Sequence, residues 1–264
     1  MEYWLAYLVT GAFAGFVAGL FGVGGGLIIV PVLTFIFAAQ QFPDSHVVHL
    51  ALGTSFASII FTSLASLKSH HKMAAVDWVL VRQITPGILI GTFLGTWLAA
   101  ALATLPLKIF FAAFEFYVAT QLLLNIKPKP ARSLPGEAGV TGAGMVIGSV
   151  SSLVGIGGGT LSVPFMLWCN IGLHRAIGTS AAIGFPIAIA GTLGYVVNGL
   201  RVPGLPEGSA GFVYLPALAI LIVASVITSP IGARLAHRLP VARLRRLFAL
   251  LLYGLGFKMA MSLF

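Results

Sequence analysis

The feature that most constrains this chain is a glycine motif that occurs twice within apolar sequence. Residues 22–26 (GVGGG) lead through an apolar run to Pro31, and residues 155–159 (GIGGG) lead through a similar run to Pro164. A glycine-interrupted apolar segment at matching positions of two membrane repeats is a strong sequence indication of a transporter's substrate site. We therefore predict two transmembrane repeats, residues 1–128 and 129–264, in one integral membrane domain.

The composition places the chain in a membrane. Of its 264 residues, 58% are hydrophobic and 8% are charged, whereas soluble domains carry about 25% charged residues. The net charge of +9 comes from basic residues in the links between apolar runs. Such charges orient a membrane protein, so we expect no nucleic-acid partner. The one cysteine, Cys169, excludes an internal disulfide. We find no zinc-binding cluster and no nucleotide-binding loop, and we expect no metal and no cofactor.

Hydropathy divides the chain into ten apolar segments, and two of them are too short to span a bilayer. A spanning helix needs about 20 residues, and each short segment directly follows a glycine triplet. The predicted segments are 4–21, 27–39, 47–67, 79–103, 107–124, 138–155, 160–172, 176–197, 212–235 and 244–263.

Charge decides between two topologies for the short segments. If each short segment continues the preceding one across the membrane, lysine and arginine fall almost evenly on the two sides. If each pair is a hairpin, 12 of the 15 basic residues lie on one side, as the positive-inside rule expects. We therefore predict an all-α polytopic bundle of two inverted repeats, each with a glycine-broken re-entrant hairpin, and both termini outside. The polar, proline-rich link 125–137 is the predicted connector.

The glycine loops are the predicted substrate site. Successive glycine amides can bind an anion, and a following half-helix adds the positive end of its dipole. If Pro31 and Pro164 occupy the first helical position, residues 27–30 are extended. Alternatively, the glycines only let helices pack closely, which explains Gly11, Gly15 and Gly19 well. The predicted site glycines are Gly24, Gly25, Gly26, Gly157, Gly158 and Gly159.

A Gly-Thr-Ser motif is also duplicated. Thr54 and Ser55 return as Thr179 and Ser180, and their hydroxyls could donate hydrogen bonds to an anion. The alternative is helix packing, with the hydroxyls bonded to the backbone. His49 and His174 precede these motifs, and we expect them to serve as caps or to lie at the membrane interface.

One acidic residue lies near the middle of an apolar segment. Glu115 is a candidate carrier of a coupling proton, or it pairs with Lys258. The alternative is a glutamate at a polar interface between subunits. Polar side chains on helix faces, such as Gln121, are compatible with a homodimer.

At these motifs the chain resembles the TauE/SafE family of sulfite and organosulfonate exporters. The resemblance runs over nearly the whole chain and includes residues 70–72 (HHK), 76–78 (VDW) and 230–240 (PIGARLAHRLP). One departure is residues 73–75 (MAA), where family members often have a basic residue and a glycine.

The resemblance implies a permease of the bacterial inner membrane that moves small sulfur oxyanions or organosulfonates outward. We therefore expect a multi-pass secondary transporter, not an enzyme, whose partners are a small anionic substrate, the lipid bilayer and a coupling proton. The alternative is a passive anion channel of the same architecture, because the same loops could line a continuous pore.

Overall fold

The computed structural model describes residues 3–22, 24–124, 132–236 and 241–263, with only the backbone at 236 and 241–244. The described residues form ten helices and one short two-stranded hairpin. The helices are α1 Trp4–Phe21, α2 Gly26–Ala39, α3 Val47–Lys72, α4 Trp78–Ala101, α5 Thr104–Leu123, α6 Glu137–Val154, α7 Gly159–Trp168, α8 Leu173–Gly199, α9 Leu215–Ala236 and α10 Val241–Met261, and the strands β1 Ser209–Ala210 and β2 Val213–Tyr214 precede α9.

Seven helices are long and apolar enough to cross a membrane, namely α1, α3, α4, α5, α6, α8 and α9. The helices α2 and α7 are apolar but shorter, with 14 and 10 residues. The all-α polytopic bundle predicted from the sequence is therefore confirmed. The centre of the molecule is formed by α3 and α8, whose spans are 83% and 61% buried inside the protein.

Some segment boundaries differ from those predicted. The helix α7 ends at Trp168 because the chain turns at Asn170, whose φ is 62°, and the amide of Ile171 donates to the carbonyl of Met166. The segment predicted at 212–235 begins with β2, and its helix starts at Leu215. Most of the predicted connector 125–137, with the proposed repeat boundary at 128, lies outside the described residues.

In each half, the segment that precedes the glycine loop begins close to where the short helix after the loop ends. The hydroxyl of Tyr3 donates to the carbonyl of Ala39 over 3.4 Å, and the amide nitrogen of Gln40 donates to the hydroxyl of Tyr7 over 2.6 Å. The start of α1 therefore lies beside the end of α2. In the second half, the amide of Arg132 donates to the carbonyl of Trp168 over 3.4 Å. The segment leading into α6 therefore lies beside the end of α7.

Small residues bring α1 against α9 along most of their length. A Cβ atom placed on Gly15 would lie 2.5 Å from Ser225 Cα, and one on Gly11 would lie 2.9 Å from Leu221 Cα. Gly19 approaches the backbone at Ser229 still more closely. Glycines spaced by four residues allow such contact between membrane helices, so the packing interpretation of these three glycines is confirmed. These contacts advance in the same direction along both helices, so α1 and α9 run parallel.

The main helix contacts form pairs that correspond between the two halves. The contact of α1 with α9 corresponds to that of α6 with α4, where Gly87 and Gly91 lie against Thr141 and Met145. The contact of α3 with α9 corresponds to that of α8 with α4. Two further contacts, α3 with α8 and α5 with α10, join equivalent helices. Each of these pairs links the two halves, so the bundle is intertwined.

Candidate functional site

The two glycine loops meet inside the molecule. A Cβ atom placed on Gly24 would lie 3.0 Å from Gly157 Cα, and one on Gly26 would overlap the carbonyl oxygen of Gly155. Gly24 and Gly158 also have φ values of 79° and 77°, a region that side chains with a Cβ rarely adopt. Glycine is required here both by the backbone conformation and by the contact between loops.

The prolines do not begin the half-helices. Pro31 and Pro164 are each the sixth residue of α2 and α7, so the expectation of an extended segment 27–30 is wrong. A glycine with left-handed φ, Gly25 or Gly158, starts each helix earlier. At the sixth position each proline lies beyond the first turn and removes the hydrogen bond that an amide there would donate to the carbonyl four residues earlier.

Amide groups collect where the two half-helices begin. Within the described part of the chain, the amides of residues 157–160 donate to no backbone carbonyl. The first amides of a helix lack partners within that helix and carry the positive end of its dipole. The loops therefore bring the amino-terminal ends of two helices to one place without a lysine or arginine.

Ser55 and Ser180 each bind the glycine loop of the opposite half. The hydroxyl of Ser55 donates to the carbonyl of Gly155 over 2.9 Å, and that of Ser180 donates to the carbonyl of Gly22 over 3.0 Å. The two bonds correspond, because these serines and these glycines occupy matching motif positions. Ser162 adds a hydroxyl that donates to Ser180 over 3.0 Å.

Thr54 and Thr179 also contact the opposite half. The amide of Tyr214, just before α9, donates to Thr54 Oγ1 over 2.9 Å. The amide of Asp77, just before α4, donates to Thr179 Oγ1 over 2.9 Å. All four hydroxyls of the Gly-Thr-Ser motifs are therefore buried and engaged with backbone groups. Their predicted contact with substrate stays a prediction.

The turn between α3 and α4 explains two other motif positions. Asp77 Oδ1 accepts from the amide of Leu80 over 3.1 Å and caps α4, while its Oδ2 lies 3.0 Å from Arg175 Nη2 at the start of α8. Trp78 Nε1 donates to His71 Nδ1 over 3.3 Å. Within residues 73–75, Ala74 has a φ of 52°, so this alanine occupies a left-handed conformation that favours glycine.

A small cavity lies at the junction of the glycine loops. Its polar wall is formed by α3, through Thr62, Ser63 and Ser66, and by Ser180 of α8. Ser66 Oγ is buried and has no hydrogen-bond partner among the described residues. The remaining lining residues are small or glycine: Ala18, Gly22, Gly24, Gly157, Ala181 and Gly184.

The cavity is nearly closed. It has room of about 10 Å³ for the centre of a water-sized sphere, which is close to the space that one water molecule needs. The loops or their neighbours would have to move apart to admit any molecule larger than water.

The cavity hydroxyls of Thr62, Ser63 and Ser66 belong to no motif that the sequence duplicates. Two of them lie on a stripe, since Ser55, Ser58, Thr62 and Ser66 are spaced by three or four residues and therefore share one helix face. That spacing could have identified the stripe. The duplicated motif could not have identified it, because the positions of α8 that correspond to Thr62 and Ser66 are Ile187 and Gly191.

The two histidines and the glutamate considered from the sequence, His49, His174 and Glu115, are not among the residues that line the cavity. His49 is buried, and its Nε2 lies 3.1 Å from the carbonyl oxygen of Ala99 at the end of α4, which agrees with a capping role. His174 lies at the start of α8 and is exposed. Glu115 is fully buried in α5. The expectation that Glu115 pairs with Lys258 is wrong, because Lys258 Nζ lies 4.5 Å from the centre of the Phe35 ring.

Replacing Ser55 or Ser180 with alanine is expected to destabilise the fold. Each change leaves a buried carbonyl of the opposite glycine loop without its donor, which costs about 1–3 kcal/mol. Thermal unfolding in detergent measures the effect. Ser58→Ala is the matched control, because the buried Ser58 hydroxyl donates to the carbonyl of Ser55 within its own helix. Equal stability of the Ser55→Ala and Ser58→Ala variants would contradict the cross-half role.

Comparison with known proteins shows the family of the chain. The family model described as sulfite exporter TauE/SafE matches residues 7–259. A probable membrane transporter protein of Haemophilus influenzae is 40% identical over 258 residues, which are 97% of each chain. No solved structure matches the fold.

More distant relatives carry the same kind of name. A probable membrane transporter protein of Methanocaldococcus jannaschii is 26% identical, over 94% of this chain and 92% of its own length. The probable membrane transporter protein YunE of Bacillus subtilis is 28% identical, over 73% of this chain and 78% of its own. The range matched by the family model, residues 7–259, includes both glycine loops.

Proposed function

Because the chain belongs to the TauE/SafE sulfite exporter family, we propose that it is a secondary active transporter that exports a small anion. The proposed substrate is sulfite or an organosulfonate, and the proposed location is the bacterial inner membrane. The observation that carries this proposal is the closed cavity where the glycine loops that precede α2 and α7 meet hydroxyl groups of α3 and α8. Amides and hydroxyls bind oxyanions without a buried cation.

We propose that the two halves are inverted repeats with re-entrant hairpins. The parallel packing of α1 on α9 and of α6 on α4 supports this arrangement. The start of α9 lies at the same end as the start of α3, because Tyr214 contacts Thr54. The start of α4 lies at the end where α8 begins, because Asp77 contacts Thr179. Since α4 follows α3, α1 and α6 start at opposite ends of the bundle.

The closed cavity supports a carrier rather than a channel. A channel needs a continuous pore, whereas this cavity has room of about 10 Å³. In a carrier, the loops would part toward one side at a time, and each opening would admit or release one anion. The basic ends of α3 and α9 and the basic start of α8 share one side, which supports a cytoplasmic assignment for that side and external termini.

Glu115 is the proposed carrier of a coupling proton. It is fully buried, and both of its carboxyl oxygens lack a hydrogen-bond partner among the described residues. A Cβ atom placed on Gly256 of α10 would lie 3.6 Å from Glu115 Oε2. Ionisable groups within membrane helices commonly form proton relays in transporters. Movement of α5 against α10 could then expose it and release the proton.

Binding of substrate tests the proposal directly. Purified protein in detergent is expected to be stabilised by sulfite, sulfoacetate, taurine or sulfate, with about 2.7 kcal/mol of stabilisation at 100 times the dissociation constant. Thermal unfolding with each anion measures this shift, and transport in proteoliposomes identifies which anion is carried. Stabilisation by none of the anions, together with no transport, would contradict the proposed substrate class.

The hydroxyl of Ser66 is expected to contribute to that binding. Ser66→Val removes the one cavity hydroxyl that has no partner within the described residues, and the anion-dependent shift is expected to fall with an affinity loss of about tenfold. Ser69→Val is the matched control, because Ser69 lies on the same helix but outside the cavity. An unchanged anion response in Ser66→Val would remove this hydroxyl from the site.

A further inference from the structure

Besides the nearly closed central cavity, the protein has an open groove on the outer face of α3. Phe61, Leu64, Lys68 and Lys72 line one wall of the groove, whose volume is about 690 Å³. Their spacing of three or four residues places them on one face of the helix. The stripe begins with Phe61, whose side chain is 42% exposed, and ends with two cations. It therefore changes from apolar to basic along the helix.

The opposite wall of the groove has the same order. Val226, Pro230 and Arg234 of α9 are spaced by four residues and line it. The two helices run parallel, since their contacts advance along both in the same order. The amide of Tyr214, just before α9, donates to Thr54 Oγ1, and further along both helices the hydroxyl of Ser229 donates to the carbonyl of Thr62 over 3.2 Å. Both walls therefore become basic at the same end. We refer to the space between these two walls as the α3–α9 groove.

The α3–α9 groove contains three cations, Lys68, Lys72 and Arg234. Among the described residues, no carboxylate lies within ion-pair distance of Lys68, Lys72 or Arg234. Arg234 Nε donates to the carbonyl of Pro230 over 3.3 Å, which holds the guanidinium group beside the groove. Three unpaired cations at one end of an exposed apolar groove complement a ligand with an anionic head and an apolar tail.

We propose that the α3–α9 groove binds a phospholipid with an anionic headgroup. The phosphate lies against the three cations, and an acyl chain lies along Phe61 and Val226. Basic pockets between membrane helices bind anionic headgroups in this way. The site is separate from the central cavity, because Thr62, Ser63 and Ser66 use the opposite face of α3.

Lipid-dependent unfolding of the full chain tests this site. In detergent, dioleoylphosphatidylglycerol is expected to raise the unfolding temperature more than dioleoylphosphatidylcholine at the same concentration. The triple variant Lys68→Gln, Lys72→Gln and Arg234→Gln is expected to lose on the order of one hundredfold in affinity for the anionic lipid, since each cation contributes about fivefold. Its stability in phosphatidylcholine is expected to match that of the unchanged chain.

A control variant separates this site from general attraction to basic protein. Arg82→Gln, Lys108→Gln and Arg201→Gln remove the same total charge outside the groove, and this variant is expected to keep the lipid response. An equal loss in both triple variants would overturn the proposal, as would equal stabilisation by the two lipids. The same rise with glycerol phosphate would also overturn it, because the acyl chain would then be unnecessary. If the groove triple variant is unstable, the three single variants, each with an expected fivefold loss, replace it.

Discussion

Replacing Gly26 with alanine is expected to abolish transport and to destabilise the protein by about 3 kcal/mol. The added methyl group would overlap the carbonyl oxygen of Gly155, and backbone atoms cannot move aside as a flexible side chain can. Overpacking of this kind costs about 1–3 kcal/mol. Separation of the loops also removes the donor of Ser55 from the Gly155 carbonyl, which adds about 1–3 kcal/mol. Thermal unfolding and flux in proteoliposomes measure the two effects.

The matched control for this change is Gly142→Ala. Gly142 lies within α6, and a Cβ atom placed there meets nothing within 4 Å. Alanine is therefore expected to stabilise this helix by about 0.5–1 kcal/mol and to leave transport unchanged. If Gly26→Ala behaved like Gly142→Ala in both measurements, the contact between the loops would have no role in the fold or in transport.

Glu115→Gln is expected to reduce transport driven by a proton gradient by more than tenfold. Glutamine keeps the size and hydrogen-bonding groups of the protonated acid but cannot release a proton. Exchange of labelled substrate across the membrane without a proton gradient is expected to persist, because Glu115 is not among the residues that line the cavity. Proteoliposomes with and without an imposed pH gradient measure both rates.

A second substitution separates a coupling role from a structural one. Glu115→Leu replaces a buried carboxyl group that has no partner among the described residues, and it is expected to raise stability, because apolar side chains of similar size suit this environment better. The hydroxyl groups of Tyr253 and Thr120 lie 2.6 Å apart, and Lys258 lies over the Phe35 ring. Because Tyr253 and Lys258 each already contact another group, neither is expected to carry the proton in place of Glu115. Full gradient-driven transport by both variants would exclude proton coupling through Glu115.

Much of the architecture could be predicted from local sequence. The apolar segments identified the helices because a bilayer requires long runs without charge. The glycine triplets identified the loops because φ values such as 79° at Gly24 require glycine. The conformation of the residues between each glycine triplet and its proline was harder to predict. A proline within the first two turns of a helix and a proline at its first residue leave similar sequence patterns.

The partners of the duplicated hydroxyls could not be predicted. Ser180 binds the carbonyl of Gly22, which is 158 residues away, and Thr54 binds the amide of Tyr214, which is 160 residues away. No local pattern encodes such distances. The motif therefore suggested substrate contacts, whereas backbone groups of the opposite half occupy these hydroxyls. The cavity hydroxyls of Thr62 and Ser66 were missed because the duplication does not include them.

Ser55 and Ser180 each donate a hydrogen bond to the opposite half, and this has a consequence for folding during synthesis. The carbonyl of Gly22 enters the membrane early, but its donor, Ser180, follows 158 residues later. Contacts between such distant residues form slowly, and an incomplete chain leaves polar groups open to lipid or to other chains. The first glycine loop is therefore expected to lack this hydrogen bond until the second half of the chain has been inserted. Neither half is then expected to mature alone.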